Sequence, residues 1–305
     1  RLRDQWHGMS RTGCVPSLFA HTREAVATLH PNDLLRRGIA EGDLVRLSNK
    51  HGSWTLPAKA DTGLQSGQVF VPMHWSSGFV SGAGSNALIG GKVDALSFQP
   101  ELKHAAIRVE KVGLPWTCAA AIASPDPVQH QAALRPLLAA CQYASLTLVD
   151  GDTPTLLVRF AHATLPSADF VAQLDAALGM GGERAAFQDL TDLTRGIHKR
   201  AHWADGRLVG IRLAGECCAI DWLAEGMAAG GELGTLRLLV FAPLTSPPGV
   251  SRRARMVCHC AKVDETAIRA ALDRGDSVEM MRDALGCGGG CGACLPEIRR
   301  MAAGR

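Results

Sequence analysis

Ten cysteines are spread unevenly along this chain, and five of them fall between Cys258 and Cys294. Cys258-His259-Cys260 is followed, after thirty intervening residues, by Cys291-Gly292-Ala293-Cys294. Four thiolates in two close pairs can surround a small iron–sulfur cluster, or can hold one zinc ion tetrahedrally. The first pair is Cys-x-Cys, whereas structural zinc knuckles more often place two to four residues between ligands. The spacing therefore favours iron–sulfur and leaves zinc open. The glycines between 286 and 292 permit tight turns that aim backbone amides at sulfur, a contact that tunes cluster potential. Cys287 is a spare thiol in the same stretch, either a bystander or a substitute ligand. His259, between two ligands, either tunes the site or faces solvent. The other five cysteines, Cys14, Cys118, Cys141, Cys217 and Cys218, are scattered and read as small buried hydrophobes. A disulfide framework would distribute pairs through a short secreted chain, so the clustering argues for metal ligation in a reducing, cytoplasmic compartment.

A second group able to do chemistry opens the chain. Arg3, Asp4, Gln5, Trp6, His7, Gly8, Met9, Ser10, Arg11 and Thr12 pack charges, donors, acceptors and one large aromatic into ten residues. Such a loop either grips a polyphosphate or heterocycle, with Arg and backbone amides on phosphate, or is a polar surface turn. Elsewhere His51, His74 and His104 read as ordinary barrel histidines. Trp54, Trp75, Trp203 and Trp222 read as core.

The elements that must position these groups follow from pattern and punctuation. His30-Pro31-Asn32-Asp33 is a helix-entry signal, and a brief helix over Leu34–Arg37 ends at Gly38. Asp43–Leu47 alternates as a half-buried strand, Asn49–Gly52 supplies a turn, and Trp54–Ala60 returns. Gln68–Pro72 and Ala105–Val112 are further strands, which together suggest a barrel over residues 1–112. Ser76–Gly91 reads as a long Gly/Ser/Asn loop, of a length that either binds something or is disordered. Residues 113–242 mix helices at Val128–Tyr143 and Ser167–Leu178 with strands at Leu146–Val149, Thr155–Phe160, Arg207–Leu213 and Leu236–Phe241. This is an α+β spacer domain with no chemical motif. Residues 243–255 form a linker whose prolines exclude regular structure, followed by the basic run Arg252, Arg253 and Arg255. In residues 256–305, Asp264 and Ser277 can cap two helices, to about Asp273 and over Val278–Leu285, and Leu295–Met301 makes a third.

Composition bounds the function. The 305 residues are 47% hydrophobic and 20% charged, ample for several cores. A net charge of +3 from 32 basic and 29 acidic groups provides no field that would favour nucleic acid or a membrane surface. No apolar run approaches the ~20 residues of a membrane helix. The chain starts without an initiator Met or a secretory signal, inside a polar segment, so a larger N-terminal part is expected.

The tail V-C-H-C … G-C-G-A-C-L-P-E-I resembles the bacterioferritin-associated-ferredoxin-like 2Fe–2S domain over the final fifty residues. The resemblance implies a small all-α module in which Cys258, Cys260, Cys291 and Cys294 ligate one 2Fe–2S cluster, and it reduces zinc to a minor alternative. At the front, R-D-Q-W-H-G-M-S-R-T-G, H-P-N-D … G-I-A-E-G-D-L-V-R-L, V-F-V-P-M-H-W and Q-P-E-L-K-H resemble a domain of the dimethyl-sulfoxide-reductase superfamily. That domain is the C-terminal dinucleotide-binding domain of molybdopterin oxidoreductases, a six-stranded double-psi β-barrel. The resemblance implies that Arg3 through Thr12 line the pterin and phosphates of bis-molybdopterin guanine dinucleotide, with Asn86 and Lys103 as further contacts. Gly8 stands where the family usually has Thr. The combination is similar to the bacterial assimilatory nitrate reductases, which implies nitrate as substrate and a flavoprotein or ferredoxin as electron donor. It also implies that the molybdenum ligand and a first 4Fe–4S cluster lie in the missing N-terminal part, so that this fragment alone is inactive. Two other functions remain open at this level: a formate dehydrogenase relative of the same superfamily, and a standalone 2Fe–2S electron-transfer protein.

Overall fold

The computed structural model describes residues 4–182, 186–231, 233–248 and 254–303. Arg3, and Arg252 and Arg253 of the basic run, lie outside the described residues. The chain divides into two compact units, Arg1–Thr245 and Ser246–Arg305.

The first unit contains two sheets. Strands β1 (Ala27–Leu29), β2 (Leu44–Ser48), β3 (Ser53–Ala60), β4 (Val69–Phe70) and β5 (Arg108–Lys111) form a five-stranded sheet in the order β4-β1-β3-β2-β5. The β1–β3 pair is parallel and the others antiparallel, and β3 is shared by both halves so that the sheet curls in a barrel-like way. The alternation legible in the sequence becomes the burial pattern: Val45, Leu47, Trp54 and Leu56 point inward, with Val45 opposite Leu56 and Leu47 opposite Trp54. Helix α1 (Pro31–Arg36) starts where proline is best tolerated, the His30 ring accepting from the Asn32 amide, and stops at left-handed Gly38.

The second sheet is six-stranded and antiparallel throughout. Strands β6 (Trp116–Ala123), β7 (Tyr143–Val149), β8 (Thr155–His162), β9 (Phe187–Asp192), β10 (Ile197–Ala204) and β11 (Arg207–Ala214) lie in the order β7-β8-β6-β11-β10-β9. Helices α2 (Val128–Ala140) and α3 (Ala168–Ala177) contribute Leu134, Leu138 and Leu174 to the core on one face, with Cys118, Ala120 and Val158. Helix α4 (Ile220–Ala228) covers the other face, with Leu223 and Ala224 against Ala119, Ala121 and Leu157. A sheet covered on both sides has no polar alternation. This is why β6, with its Cys-Ala-Ala-Ala run, carries no strand signature: its small residues let helices approach from either face. Strands β9 and β10 also have no counterpart in the sequence reading. The predicted helix over Val128–Tyr143 ends at Ala140, and Tyr143 opens β7.

One expected strand is absent. Leu236–Phe241 forms successive turns, Leu239 donating to the Leu236 carbonyl and Ala242 to that of Leu239. This apolar run instead packs into the cluster of α4, burying Val240 with Leu236 and Phe241 partly buried beside it, while Leu238 faces solvent.

In the second unit, strands β12 (Met256–Cys258) and β13 (Val263–Asp264) form a two-stranded ribbon, so the module is not purely helical. Helices α5 (Glu265–Asp273), α6 (Val278–Leu285) and α7 (Leu295–Ala303) pack Ile268, Leu272, Met281 and Ile298 with Val257 and Val263. Asp264 caps α5, its side chain accepting from the Ala267 amide at 2.8 Å, and Ser277 caps α6 at 3.2 Å. No helix among the described residues is long and apolar enough to cross a membrane.

A buried ion pair locks α3 to the sheet. Arg212, fully buried, donates to both oxygens of Asp175 at 2.6 and 3.2 Å and to the His198 carbonyl at 2.7 Å. Removing one partner leaves a buried, unmatched charge. Asp175→Ala is therefore expected to cost about 3–5 kcal/mol of unfolding free energy. Arg108→Ala, breaking a surface pair with Glu110, is expected to cost below about 1 kcal/mol. Urea unfolding of both variants, monitored by tryptophan fluorescence, checks the contrast; equal midpoints would remove the argument.

Candidate functional site

Residues 4–12 form one continuous turn whose side chains divide into two sets. Asp4 pairs with His21, Gln5 is buried and its Nε2 donates to the Leu18 carbonyl at 3.1 Å, Met9 is fully buried, and Thr12 is buried. These four anchor the turn. Trp6 (40% exposed), His7, Ser10 and Arg11 remain accessible, so an aromatic face, an imidazole, a hydroxyl and a guanidinium are displayed together. Gln5 Oε1 is buried without a hydrogen-bond partner. Asn86, on the short 3-10 turn Gly84–Leu88, and Lys103 are exposed on separate loops.

The backbone of this turn is unusual. His7, Gly8 and Met9 have φ of 47°, 63° and 61°, three consecutive left-handed residues of which only the middle one is glycine. Each non-glycine residue in that region costs roughly 1–3 kcal/mol, so the surroundings must impose the conformation. Gly8 removes that penalty at the centre, which gives a physical reason for glycine where the resembling family has Thr. Two residues hold it from outside. His74 Nδ1 accepts from the Gly8 amide at 3.5 Å, and Ser76 Oγ donates to the Gly8 carbonyl at 3.0 Å. His74 is itself left-handed, φ 76°. The sequence reading treated His74 as an ordinary barrel histidine and passed over Ser76, because nothing in the spacing says that residues 74–76 meet residue 8.

The cysteine site is built by the second unit's caps. Strand β12 ends on Cys258, and the turn after it presents Cys260; Gly286 ends α6, and Cys294 begins α7, with the Ile298 amide donating to the Cys294 carbonyl. Gly288 suits its position: φ is 80°, which strains any L side chain, and a Cβ there would lie 2.4 Å from the tip of the Leu295 side chain. The thiols meet in series, Cys258 Sγ to Cys260 Sγ at 3.6 Å and Cys260 Sγ to Cys291 Sγ at 3.5 Å, while Cys258 also bonds Cys294. Among the described residues, no three His, Cys, Asp or Glu side chains are arranged as a single-ion site. Cys258 and Cys294 are buried, whereas Cys260 and Cys291 are exposed. Burial raises the Cys258 pKa, but amides of Ala261 and Gly288 and the thiols of Cys260 and Cys294 outweigh it and hold the group below its ordinary value. Burial, and after it the bond shared with Cys258, pushes Cys294 up to about 11. Four convergent thiols, with backbone amides aimed at sulfur, are the donor set an anionic iron–sulfur cluster requires.

Cys287 is fully buried and donates to the Met281 carbonyl at 3.5 Å; burial raises its pKa, with Cys258 adding to it. It packs as core. Of the scattered cysteines, Cys118 and Cys141 are buried, but Cys14 and Cys218 are exposed and Cys217 is half-buried, which corrects the expectation that all five are core. Cys218 is drawn outward by its own amide, which donates to Glu216 at 2.6 Å. Burial pushes Cys217 and Cys218 up to about 11, so both are thiols at neutral pH.

Residues 1–106 match the family described as Molydopterin dinucleotide binding domain, and residues 256–303 match the BFD-like [2Fe-2S] binding domain. The chain therefore carries a molybdopterin dinucleotide-binding domain followed by a 2Fe–2S domain. Over its whole length it is 28% identical to the C-terminal part of a nitrate reductase from Klebsiella oxytoca, covering 33% of that protein. Shorter stretches match two further nitrate reductases. One, from Shewanella frigidimarina, is 32% identical over 37% of this chain and 14% of that one; the other, from Symbiobacterium thermophilum, is 34% identical over 36% and 15%. The chain thus spans a third or less of the length of these curated relatives. Among solved structures, acetylene hydratase from Pelobacter acetylenicus aligns with a TM-score of 0.28 and 18% identity over 36% of this chain and 17% of that one. That likeness is too slight to bear on the fold.

Anaerobically purified chain is expected to contain about two irons and two acid-labile sulfides. Cys258→Ser, Cys260→Ser, Cys291→Ser or Cys294→Ser should bleach the visible absorbance, whereas Cys217→Ser and Cys287→Ser should not. Stoichiometric zinc without labile sulfide would contradict the site.

Proposed function

We propose that this chain is the C-terminal part of a molybdenum-dependent nitrate reductase, closing over bis-molybdopterin guanine dinucleotide and relaying electrons through a 2Fe–2S cluster. The observation that carries this reading is the presence of both cofactor domains in one chain whose whole length aligns with the C-terminal part, 33%, of the Klebsiella oxytoca nitrate reductase. In this reading residues 1–112 form a double-psi β-barrel, 113–242 an α+β domain, 243–255 a linker and 256–305 the cluster module. The molybdenum ligand and a 4Fe–4S cluster belong to a part of the enzyme outside this chain, and the compartment is the cytoplasm.

When bound, the molybdenum cofactor supplies the two-electron reduction of nitrate to nitrite, fed by one-electron steps at the iron–sulfur cluster. The chain's own residues bind and orient. Arg3, Arg11 and Lys103 offer cations to phosphate, Trp6 offers a ring face to the pterin, and the Ser10 hydroxyl and Asn86 offer hydrogen bonds. Asp4, Gln5, Met9 and Thr12 keep that display in place from below. In the second unit Cys258 and Cys294 seat the cluster in the module's core. The exposed Cys260 and Cys291 leave one edge open to a flavoprotein reductase or ferredoxin.

In the complete enzyme, Cys291→Ser should abolish turnover driven by the physiological donor, while a reduced viologen that reaches molybdenum directly should bypass the defect. Lys103→Ala or Trp6→Ala should instead lower cofactor content and both activities together. A charge-assisted contact to phosphate is worth about 1.5–3 kcal/mol, so partial cofactor loss is expected. Equal loss of both activities in Cys291→Ser, with cofactor intact, would make the cluster structural. The 305-residue chain alone should not reduce nitrate with the dye; turnover by it would overturn the division of labour.

A further inference from the structure

Neither family match extends over residues 107–255, yet this part of the chain is fastened to the front turn. The fastening runs through residues 74–81. At one end it holds Gly8 twice, through the His74 ring and the Ser76 hydroxyl. At the other it lies along β7, the edge strand of the six-stranded sheet. The Leu146 amide donates to the Phe79 carbonyl at 2.8 Å, the Ser81 amide donates to the Ala144 carbonyl at 3.2 Å, and Val80 pairs antiparallel with Ser145. The Ser81 hydroxyl adds a bond to the Gln142 carbonyl at 3.3 Å. Between its two ends the strap is packed rather than free. Trp75 and Phe79 are buried against Phe19, with ring centroids 6.0 and 6.2 Å away. The far side of the front turn is seated on the same ring: a Cβ on Gly13 would lie 2.2 Å from Phe79 Cζ. A second tie runs in parallel, since Tyr143, the first residue of β7, donates to Glu24 at 2.5 Å.

A left-handed run that is unfavourable by itself is therefore held by a strap whose other end is a strand of the neighbouring sheet. We propose that the sheet of residues 116–214 braces the cofactor turn. Strand β7 fixes the strap 74–81, and Ser76 is the positioning residue that passes this order to His7, Gly8 and Met9. The inference rests on the reading that residues 4–12 contact the dinucleotide cofactor, and it assigns the middle of the chain a part in cofactor retention. No step of the chemistry involves Ser76; it acts only through the Gly8 carbonyl.

Hydrogen–deuterium exchange on the 305-residue chain tests the brace without any cofactor. Ser76→Ala is expected to raise exchange in peptides covering residues 6–10 by about fivefold, the weight of one ordinary hydrogen bond. Exchange in α4 and in residues 256–303, and the thermal midpoint, should stay as in the parent chain. Ser76→Thr, which keeps the donor, should restore protection. At the far end, Leu146→Pro removes the amide that faces the strap, together with a fully buried leucine side chain, and where the chain stays folded it should loosen residues 6–10 in the same way. Unchanged exchange at residues 6–10 in Ser76→Ala overturns the proposal, and so does a folded Leu146→Pro chain in which that segment stays protected. A second arm uses the complete enzyme. There Ser76→Ala should lower the molybdenum and guanine nucleotide retained through gel filtration, with the visible absorbance of the iron–sulfur cluster unchanged. Increased exchange together with full cofactor content would leave the brace standing and remove the reading of residues 4–12 as cofactor contacts.

Discussion

A main-chain hydrogen bond from the Leu146 amide to the Phe79 carbonyl ties the curled sheet's long loop to the second sheet of the first unit, and much else depends on it. An edge strand leaves a row of amides and carbonyls unpaired, and β7 meets that demand by accepting a segment of the curled sheet's long loop. Because the loop is then fixed at its far end, the stretch from His74 to Ser76 can hold a backbone turn that no local preference would adopt. The buried aromatic group of Phe19, Trp75 and Phe79 fills the space beneath. A single hydrophobic core consequently runs from Leu29 and Trp54 of the curled sheet to Phe160 of the second sheet and Leu138 of α2.

The second unit solves a different problem with local means. Two thiol pairs thirty residues apart in sequence must converge, and the path is marked locally: Asp264 and Ser277 start helices, Gly286 ends one, and Gly288 takes a positive φ close against Leu295. Thiols that converge also perturb one another. The amides of Ala261 and Gly288, with the neighbouring thiols, hold Cys258 below its ordinary value, whereas burial raises Cys294. The unequal exposure of the four sulfurs gives the module a closed inner side and an open outer one.

Features encoded over short distances are legible in the order of residues alone. The strand pair β2 and β3, with its inward Val45, Leu47, Trp54 and Leu56, follows from alternation, and the three helices of the second unit follow from caps and glycines. The cysteine spacing and the front motif pointed to an iron–sulfur domain and a molybdopterin domain, both of which the chain carries. Tertiary structure alone decided the rest. Strand β6 is a run of alanines with no strand preference, made a strand by helices on both of its faces. Leu236–Phe241 has strand composition but packs Val240 into the apolar cluster of α4 instead of joining a sheet. The roles of His74 and Ser76 depend on a meeting with Gly8 across 66 and 68 residues. Sequence pattern reports the hydrogen bonds and periodicities a segment can satisfy within itself. Which distant surfaces satisfy what is left over is settled only when the whole chain packs.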